Sequence, residues 1–301
     1  MQMIRYALLV AVASVPSASL SAQDADSLAG KRVVFLGDSI TQAGGYVGLT
    51  TYYLEKLNPK KDFDFLGLGL ASETLSGLSE DGHAGGKFPR PCLFERLGRV
   101  LEKAKPDVVF ACYGMNDGIY LPLDKDRTEA FQKGVGKLIE QCQNAGAMQT
   151  FLITPPIYDF SPPKGEFNYD AVLTEYAKWE MSLKMPGVKV IDLHTAMQTA
   201  RADRSTPFSG DNVHPGDDGQ FLIAKTILTA LGVKLSDETL ETVKADPLFK
   251  SVELKRGARS PAWMKHTGYT REKTVKPESL GSAEADAAAM QEKIDALRRK
   301  K

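Results

Sequence analysis

The sequence is poor in the residue types that build disulfide frameworks and zinc sites. Its 301 residues include only three cysteines, Cys92, Cys112 and Cys142, which are widely spaced and form no C-x-x-C pair. An odd number of cysteines cannot pair completely, so we expect mostly buried free thiols, with one disulfide as the alternative in an exported protein. The four histidines are never spaced as ligand pairs, which argues against a zinc site. We therefore expect no bound metal.

The sequence also lacks an excess charge of either sign. Lys and Arg together number 38, as do Asp and Glu, so the formal net charge is zero. A chain without net positive charge has no general electrostatic attraction to a polyanion, and a nucleic-acid partner is therefore not expected. The hydrophobic content of 43% is ordinary for a globular protein and excludes a chain that is disordered as a whole.

No apolar run in the sequence is long enough to cross a bilayer. The apolar run near the N-terminus, residues 6–15, follows the cation Arg5 and leads into small residues up to Ala22. This pattern is typical of a secretory signal peptide, which we expect over residues 1–22, with a single-pass anchor as the alternative. The protein would then be periplasmic or secreted, with no stable membrane insertion after cleavage.

Five short apolar runs, separated by helical patterns, predict five strands. They are Arg32–Gly37, Phe63–Leu68, Asp107–Tyr113, Gln149–Thr154 and Val188–Ile191. Three of the helical patterns carry clean apolar stripes: Phe131, Val135, Leu138 and Cys142; Val172, Tyr176, Trp179 and Leu183; and Phe221, Ala224, Leu228 and Leu231. This alternation predicts a three-layer α/β/α sandwich with a parallel sheet, and such sheets bind ligands at the carboxyl ends of their strands.

The C-terminal part of the chain differs from this pattern. Residues 250–281 are polar, punctuated by Pro and Gly, and without periodicity, so we expect an extended arm lying over the main body. Residues 282–300 predict an amphipathic helix with one narrow stripe: Ala287, Met290, Ile294 and Leu297. The stripe needs a partner surface, either the core or a second subunit. We therefore divide the chain into a signal peptide (1–22), a main domain (23–249) and a C-terminal arm with its helix (250–301).

Four polar segments supply the groups that acyl transfer by serine requires. GDSIT at 37–41, LGLASET at 68–74 and GMND at 114–117 follow predicted strands, and DNVHP at 211–215 precedes the last helix of the core. Ser39 is the candidate nucleophile, His214 the candidate base, and Asp211 the group that fixes the imidazole tautomer. The candidate donors to an oxyanion are the Ser39 amide, the Gly69 amide and the Asn116 side chain.

These four segments resemble, in order, the sequence blocks of the SGNH (GDSL-type) hydrolases. The resemblance spans about residues 32–232 and implies a flavodoxin-like sheet and ester hydrolysis without a cofactor. It also implies the same roles for the residues named above: Ser39, Asp211 and His214 as the triad, and Ser39, Gly69 and Asn116 as the oxyanion hole. Many members carry Asn two positions before the glycine of the second block, whereas this chain has Gly67 there. The choice between Gly67 and Gly69 as donor is therefore open, and we favour Gly69.

Each segment also has a purely structural interpretation when it is taken alone. GDS and GMND occur in ordinary turns and helix caps, and a histidine before proline is commonly structural. The glycine-rich loop at 73–91 holds His83 and Arg90, which we expect to bind substrate because long loops at the active face shape access. The alternative for this loop is a solvated connection. The α/β-hydrolase elbow G-x-S-x-G is absent.

Together the segments predict an exported, metal-independent serine esterase. We expect it to remove a short acyl group, acetyl in particular, from a carbohydrate. A lipid acylhydrolase or thioesterase is the alternative within the same class. A non-catalytic carbohydrate-binding or scaffolding protein, assembling through its last helix, is the alternative outside it.

Overall fold

A computed structural model describes residues 25–163 and 165–300, so the predicted signal peptide lies outside the described residues. The core is a five-stranded parallel sheet in the order β2-β1-β3-β4-β5. The strands are β1 (Arg32–Gly37), β2 (Asp64–Gly69), β3 (Val108–Cys112), β4 (Gln149–Ile153) and β5 (Val188–Ile191). The prediction of a five-stranded parallel, flavodoxin-like sheet is therefore confirmed.

The sheet is the core of the molecule because its central strands are buried on both faces. Every residue of β3 and β4 is buried, and so is every residue of β1 after Arg32. Continuous apolar strands of this kind form only where helices cover both sides of a parallel sheet. From β1 the chain adds β2 on one side of the sheet and then β3, β4 and β5 on the other. The strand order therefore switches between β1 and β3, and sheets of this kind bind their ligands in the crevice at such a switch point.

Eleven helices are present in the described part of the chain. They are α1 (Ser39–Ala43), α2 (Gly45–Leu57), α3 (His83–Gly86), α4 (Leu97–Ala104), α5 (Lys125–Asn144), α6 (Asp170–Ser182), α7 (Leu193–Ala202), α8 (Asp217–Ala230), α9 (Leu240–Ala245), α10 (Pro247–Thr267) and α11 (Ala283–Arg298). Single 3-10 turns occur at Ala25–Leu28 and Leu93–Glu95. None of these helices is both long and apolar enough to span a membrane.

The three predicted apolar stripes lie on helices α5, α6 and α8 and face the core. The α5 stripe is fully buried, and the other two are buried except for Trp179, Leu183 and Phe221, which pack partly exposed against the core. The cysteines are free thiols, as expected: Cys112 and Cys142 are buried and Cys92 is partly exposed.

The predicted arm is wrong for its first part. Residues 250–267 are the greater part of helix α10, which packs against α2 and along the outer edge of β2. Residues 268–282 connect α10 to the last helix, and they include a small antiparallel hairpin, β6 (Tyr269–Thr270) with β7 (Thr274–Val275). The last predicted helix is α11, whose stripe packs on α10, so its apolar face finds a partner within this chain.

Candidate active site

Ser39 stands at the carboxyl end of β1, as the first residue of the single-turn helix α1. Only Asp38 separates the strand from the helix, and it caps the helix by accepting a hydrogen bond from the Ile40 amide at 2.9 Å. Asp38 is almost fully buried, whereas the neighbouring Ser39 is partly exposed. The local fold thus presents the Ser39 hydroxyl at the edge of the sheet, beside the switch point.

The loop before α8 brings His214 and Asp211 to this hydroxyl. The Ser39 Oγ lies 2.7 Å from His214 Nε2, and His214 Nδ1 lies 2.6 Å from Asp211 Oδ2. The other oxygen of Asp211 accepts hydrogen bonds from the backbone amides of Val213 and His214, at 3.0 and 2.8 Å. The three side chains therefore form one continuous hydrogen-bonded chain, in the arrangement that serine acyl transfer uses.

The surroundings of Asp211 favour its ionised form beside the His214 imidazole. Partial burial raises the pKa of Asp211, but the hydrogen bonds from the His214 ring and from two backbone amides outweigh it and hold the pKa at about 2. The group is also open to solvent, since the side chain of His214 is 50% exposed. Asp211 is therefore charged at any working pH, and it stabilises the imidazolium that would form when Ser39 loses its proton.

Asn116 lies in the turn after β3, close to this group and 4% exposed. Its Nδ2 donates to the Glu73 carbonyl at 3.2 Å and, over a longer 3.4 Å, to Asp38 Oδ2. The next residue, Asp117, holds the turn by accepting from the amides of Gly114, Leu75 and Ser76. The structure thus brings Asn116 to the carboxyl ends of β1 and β3, as the sequence predicts.

The position of Gly69 argues against its expected role as an oxyanion donor. Leu70 donates its amide to Gly37 of β1, and in a parallel ladder alternate residues face the same neighbour, so the Gly69 amide faces the outer edge of β2. A Cβ at Gly69 would meet the backbone of α1, with Gln42 N at 2.3 Å and Asp38 O at 2.7 Å. Close packing of α1 over β2 explains this glycine. Gly67 faces the same outer edge, so it offers no better donor.

A buried ion pair that no sequence motif predicts holds the turn after β2. Glu73 accepts two hydrogen bonds from Arg96, at 2.6 and 2.7 Å, and both side chains are fully buried. Tyr113 donates to the same carboxylate at 2.7 Å. In the same turn Ser72 has a φ of 66°, a left-handed conformation where glycine is usual. The ion pair joins residues 23 positions apart, and neither lies in a recognisable motif.

His83 and Arg90, the predicted substrate-binding residues, both lie in the loop at 73–91. Arg90 is 8% exposed and donates to Asn116 Oδ1 at 2.8 Å, so it reaches the site through Asn116. The His83 Nδ1 lies 3.3 Å from Glu80 Oε1, and its ring packs edge-on against Phe88. Burial, and then the charge of Arg90, lower the pKa of His83. Neither residue forms a hydrogen bond with Ser39 or His214.

The described residues contain no group of three or more His, Cys, Asp or Glu side chains that could hold a metal ion. The groups that converge at this edge of the sheet are a hydroxyl, an imidazole, a carboxylate and an amide. What this arrangement can do chemically is to activate an alcohol as a nucleophile and to donate hydrogen bonds to a developing anion.

Similarity to known proteins extends to a family model and to the fold of solved structures. The model of the GDSL-like Lipase/Acylhydrolase family matches residues 35–221, more than half of the chain. No curated protein matches. Among solved structures, a catalytic mutant of an acetylxylan esterase from Geobacillus stearothermophilus has a TM-score of 0.52 at 20% identity, over 70% of this chain and 98% of that one. An alpha/beta hydrolase enzyme from the metagenome of Lake Arreo, Spain, has a TM-score of 0.51 at 23% identity, over 69% and 98%.

Proposed function

Because the chain belongs to the GDSL-like lipase/acylhydrolase family, we propose that it is a serine esterase whose nucleophile is Ser39. The observation that carries the proposal is the hydrogen-bonded chain from Ser39 Oγ through His214 to Asp211, with contacts of 2.7 and 2.6 Å. A serine hydroxyl within hydrogen-bond reach of an imidazole, itself oriented by a carboxylate, is the arrangement that makes serine nucleophilic.

The reaction follows from the positions of these groups. His214 takes the proton of Ser39 as Oγ attacks the ester carbonyl, and it gives that proton to the departing alcohol, leaving an acyl group on Ser39. Water then attacks the acyl-enzyme with His214 again as base, which releases the acid and restores the hydroxyl. Asp211 keeps the Nδ1 proton in place and stabilises the imidazolium in both halves.

The proposed oxyanion donors are the Ser39 amide and Asn116 Nδ2. In the free protein Asn116 has one ordinary hydrogen bond, to the Glu73 carbonyl at 3.2 Å, and one long contact of 3.4 Å with Asp38. The long contact is the weaker one, so the hydrogen directed to Asp38 is the one that an oxyanion would attract. Gly69 has no part in this proposal, because its amide faces the outer edge of β2.

A serine-reactive phosphonate tests the proposed nucleophile. We expect one label per chain, located on Ser39 by peptide mapping, and no label on Ser39→Ala. Activity on p-nitrophenyl acetate should disappear in the same variant. Ser76→Ala, a change at another serine of the active face, is the control and should label normally. An unlabelled but folded wild-type protein would favour the non-catalytic binding protein instead.

We propose further that the acyl group is short and that the alcohol is part of a carbohydrate. The supporting observation is an open site, since the side chains of His214 and Asp211 are 50% and 57% exposed. An octanoyl chain would bury six more methylenes than acetyl, worth about 5 kcal/mol only if they were enclosed. The acetylxylan esterase that shares the fold makes acetylated polysaccharides the first substrates to test.

Two assays separate this proposal from the lipid or thioester alternative. We expect kcat/KM to be at least about tenfold higher for p-nitrophenyl acetate than for the octanoate, because the longer chain gains little free energy from burial at a site this exposed. Acetate release from a panel of acetylated polysaccharides then identifies the alcohol. A clear octanoate preference, or no acetate release from any polysaccharide, would transfer the proposal to a lipid or thioester substrate. Export, predicted from residues 1–22, is part of the same proposal.

A further inference from the structure

The carbonyl end of the Asn116 side chain is held by two donors from within the protein. Arg90 Nη1 donates to Asn116 Oδ1 at 2.8 Å, and the Tyr120 hydroxyl donates to the same oxygen at 3.2 Å. Because a guanidinium has no hydrogen-bond acceptor, the contact with Arg90 fixes this end of the amide as oxygen, and the Tyr120 hydroxyl then donates to it. The Nδ2 end is thereby directed toward Glu73, in the turn after β2, and Asp38, at the end of β1.

Arg90 is itself fixed by an acid of the same loop. Its Nε and Nη2 donate to the two carboxylate oxygens of Glu80, both at 2.6 Å, and its side chain is only 5% exposed. The guanidinium also lies over the Tyr120 ring, 5.2 Å from the centroid. Burial raises the pKa of Glu80, but the hydrogen bonds from Arg90 outweigh it and hold the pKa below its usual value. A charged, bidentate pair of this kind has one geometry.

We propose that Arg90 is a positioning residue that orients and polarises the Asn116 amide, with Glu80 holding Arg90 in place. The inference rests on the proposed function, in which Asn116 Nδ2 donates to the oxyanion. A cation bound to the amide oxygen draws electron density from the nitrogen and strengthens the N–H donors at the other end. It also prevents the side chain from turning over, which would aim Oδ1 at the oxyanion.

This role differs from the substrate binding expected of Arg90. Three of its five N–H groups are directed to Glu80 and Asn116, and the side chain is nearly inaccessible, so little of the guanidinium is left for a ligand. The loop at 73–91 is then more than a connection. Its ion pair links the conformation of the loop to the direction of the catalytic amide.

A double-mutant cycle between Arg90 and Asn116 tests the proposal. We expect Arg90→Met to lower kcat on p-nitrophenyl acetate about 10-fold to 100-fold with little change in KM, the range seen when groups that orient a functional side chain are removed. Asn116→Ala should cost about 10²-fold to 10³-fold. The double variant should be no slower than Asn116→Ala alone, because Arg90 has nothing left to orient. Arg90→Lys, which keeps one charged donor, should recover part of kcat.

Lys87→Met provides the matched control. Lys87 lies in the same loop, is exposed, and has no hydrogen bond to Asn116. The activity of Lys87→Met should therefore equal that of wild type. If Arg90→Met does not fold, as judged by circular dichroism and melting temperature, the same cycle with Glu80→Gln decides. Additive losses in the double variant, or a rise in KM alone, would overturn the positioning role.

Failure of this inference is distinguishable from failure of the proposed function. If Ser39→Ala keeps the activity of wild type, the proposed esterase mechanism itself is wrong, and the inference falls with it. If Ser39→Ala is inactive while Arg90→Met and Asn116→Ala act independently, only the inference is overturned.

Discussion

The two oxygens of Asp211 have separate partners, and this separation predicts the effect of changing one of them. Oδ1 accepts from two backbone amides, which shape the loop, while Oδ2 accepts from the imidazole of His214. An asparagine at this position can still accept from the amides through its oxygen. Its nitrogen end, however, would donate to Nδ1 and so favour the tautomer that cannot deprotonate Ser39.

We therefore expect Asp211→Asn to fold normally and to lower kcat by about 10⁴-fold, the cost of the wrong tautomer in a serine triad. His214→Ala should be at least as damaging, because it removes the base itself. Steady-state kinetics on p-nitrophenyl acetate, with urea unfolding as a check on folding, would measure both. An Asp211→Asn enzyme as active as wild type would remove Asp211 from the triad.

Asp38 predicts a pH-dependent loss of stability. Burial raises its pKa from 3.8 to about 7, so the folded state retains a proton that the unfolded chain releases. Stability from this group is complete below about pH 4 and is lost as the pH rises toward 7. A shift of roughly three units corresponds to at most about 4 kcal/mol.

Asp38→Asn should remove this dependence, because asparagine does not titrate and still caps the Ile40 amide. Relative to wild type, the free energy of unfolding of the variant should improve by up to about 4 kcal/mol between pH 4 and pH 7. Urea unfolding at both pH values measures it, with the exposed Asp81→Asn as the control. A constant difference between variant and wild type across this range would show that Asp38 does not titrate there.

Residues in local motifs were predictable from the sequence, and residues joined across loops were not. Ser39, Asn116, Asp211 and His214 each lie in a short polar turn next to a strand or helix, and the parallel sheet brings such turns together. Arg90 meets Asn116 only because a loop returns over the end of β3, 26 residues away. Nothing in the composition of that loop distinguishes an arginine that binds the Asn116 amide from one that binds a substrate.

At the scale of elements, the packing of α1 over β2 makes Gly69 a structural position. A Cβ at Gly69 would come within 2.3–2.7 Å of three backbone atoms of the α1 region, whereas one at Gly67 would meet only a serine hydroxyl at 3.3 Å and a valine beyond 3.7 Å. Backbone atoms cannot move aside as a flexible side chain can. A methyl group at Gly69 must therefore displace the helix that carries Ser39.

We expect Gly69→Ala to lower the free energy of unfolding by about 1–3 kcal/mol, the usual cost of overpacking, and to lower kcat because Ser39 shifts. Gly67→Ala, the matched control two residues earlier on the same strand, should change neither by much. Urea unfolding and kinetics on p-nitrophenyl acetate provide the comparison. A fully stable Gly69→Ala protein would contradict the close approach of α1.

The strands were predictable because they are buried on both faces, and helix α10 was missed because its buried face is mixed. The buried positions of α10 include Ser251, Arg259 and Thr267 beside Leu248, Val252 and Trp263, so no apolar stripe marks it. Arg259 is buried because it pairs with Asp64 and Glu284. Gly257 and Pro261 add the signals of an irregular segment. Periodicity detects helices that bury carbon, and α10 buries ion pairs as well.

At the scale of the whole molecule, the C-terminal helices complete the hydrolase core. Helix α10 covers the outer edge of β2 and reaches the buried ion pair at Glu73, since Arg96 Nη1 lies 3.7 Å from Met264 Sδ. Beyond it, Arg271 of the hairpin donates to the Ala71 carbonyl at 3.1 Å and lies over the Phe88 ring. The segment outside the family match therefore contacts the connection after β2 at two points, Ala71 and Phe88. A division of the chain at residue 249 remains a prediction, and it would cut through α10.

This arrangement predicts different results for two truncations. A chain that ends at Gly281 loses only α11, which packs on α10 and buries Arg298 against Glu55. It should fold with reduced stability, because removing one partner of a buried ion pair costs about 3–5 kcal/mol when the other stays buried. Glu55→Gln in the shortened chain should recover part of that loss.

A chain that ends at Asp246 also loses α10. This loss exposes the edge of β2 and the apolar surface that Leu248, Val252 and Trp263 cover, so the shorter chain should not fold. Circular dichroism, urea unfolding and esterase activity of both chains, each with residues 23 onward, measure the difference. A stable, active chain ending at Asp246 would show that the core is complete without α10, and that the C-terminal helices are an accessory to it.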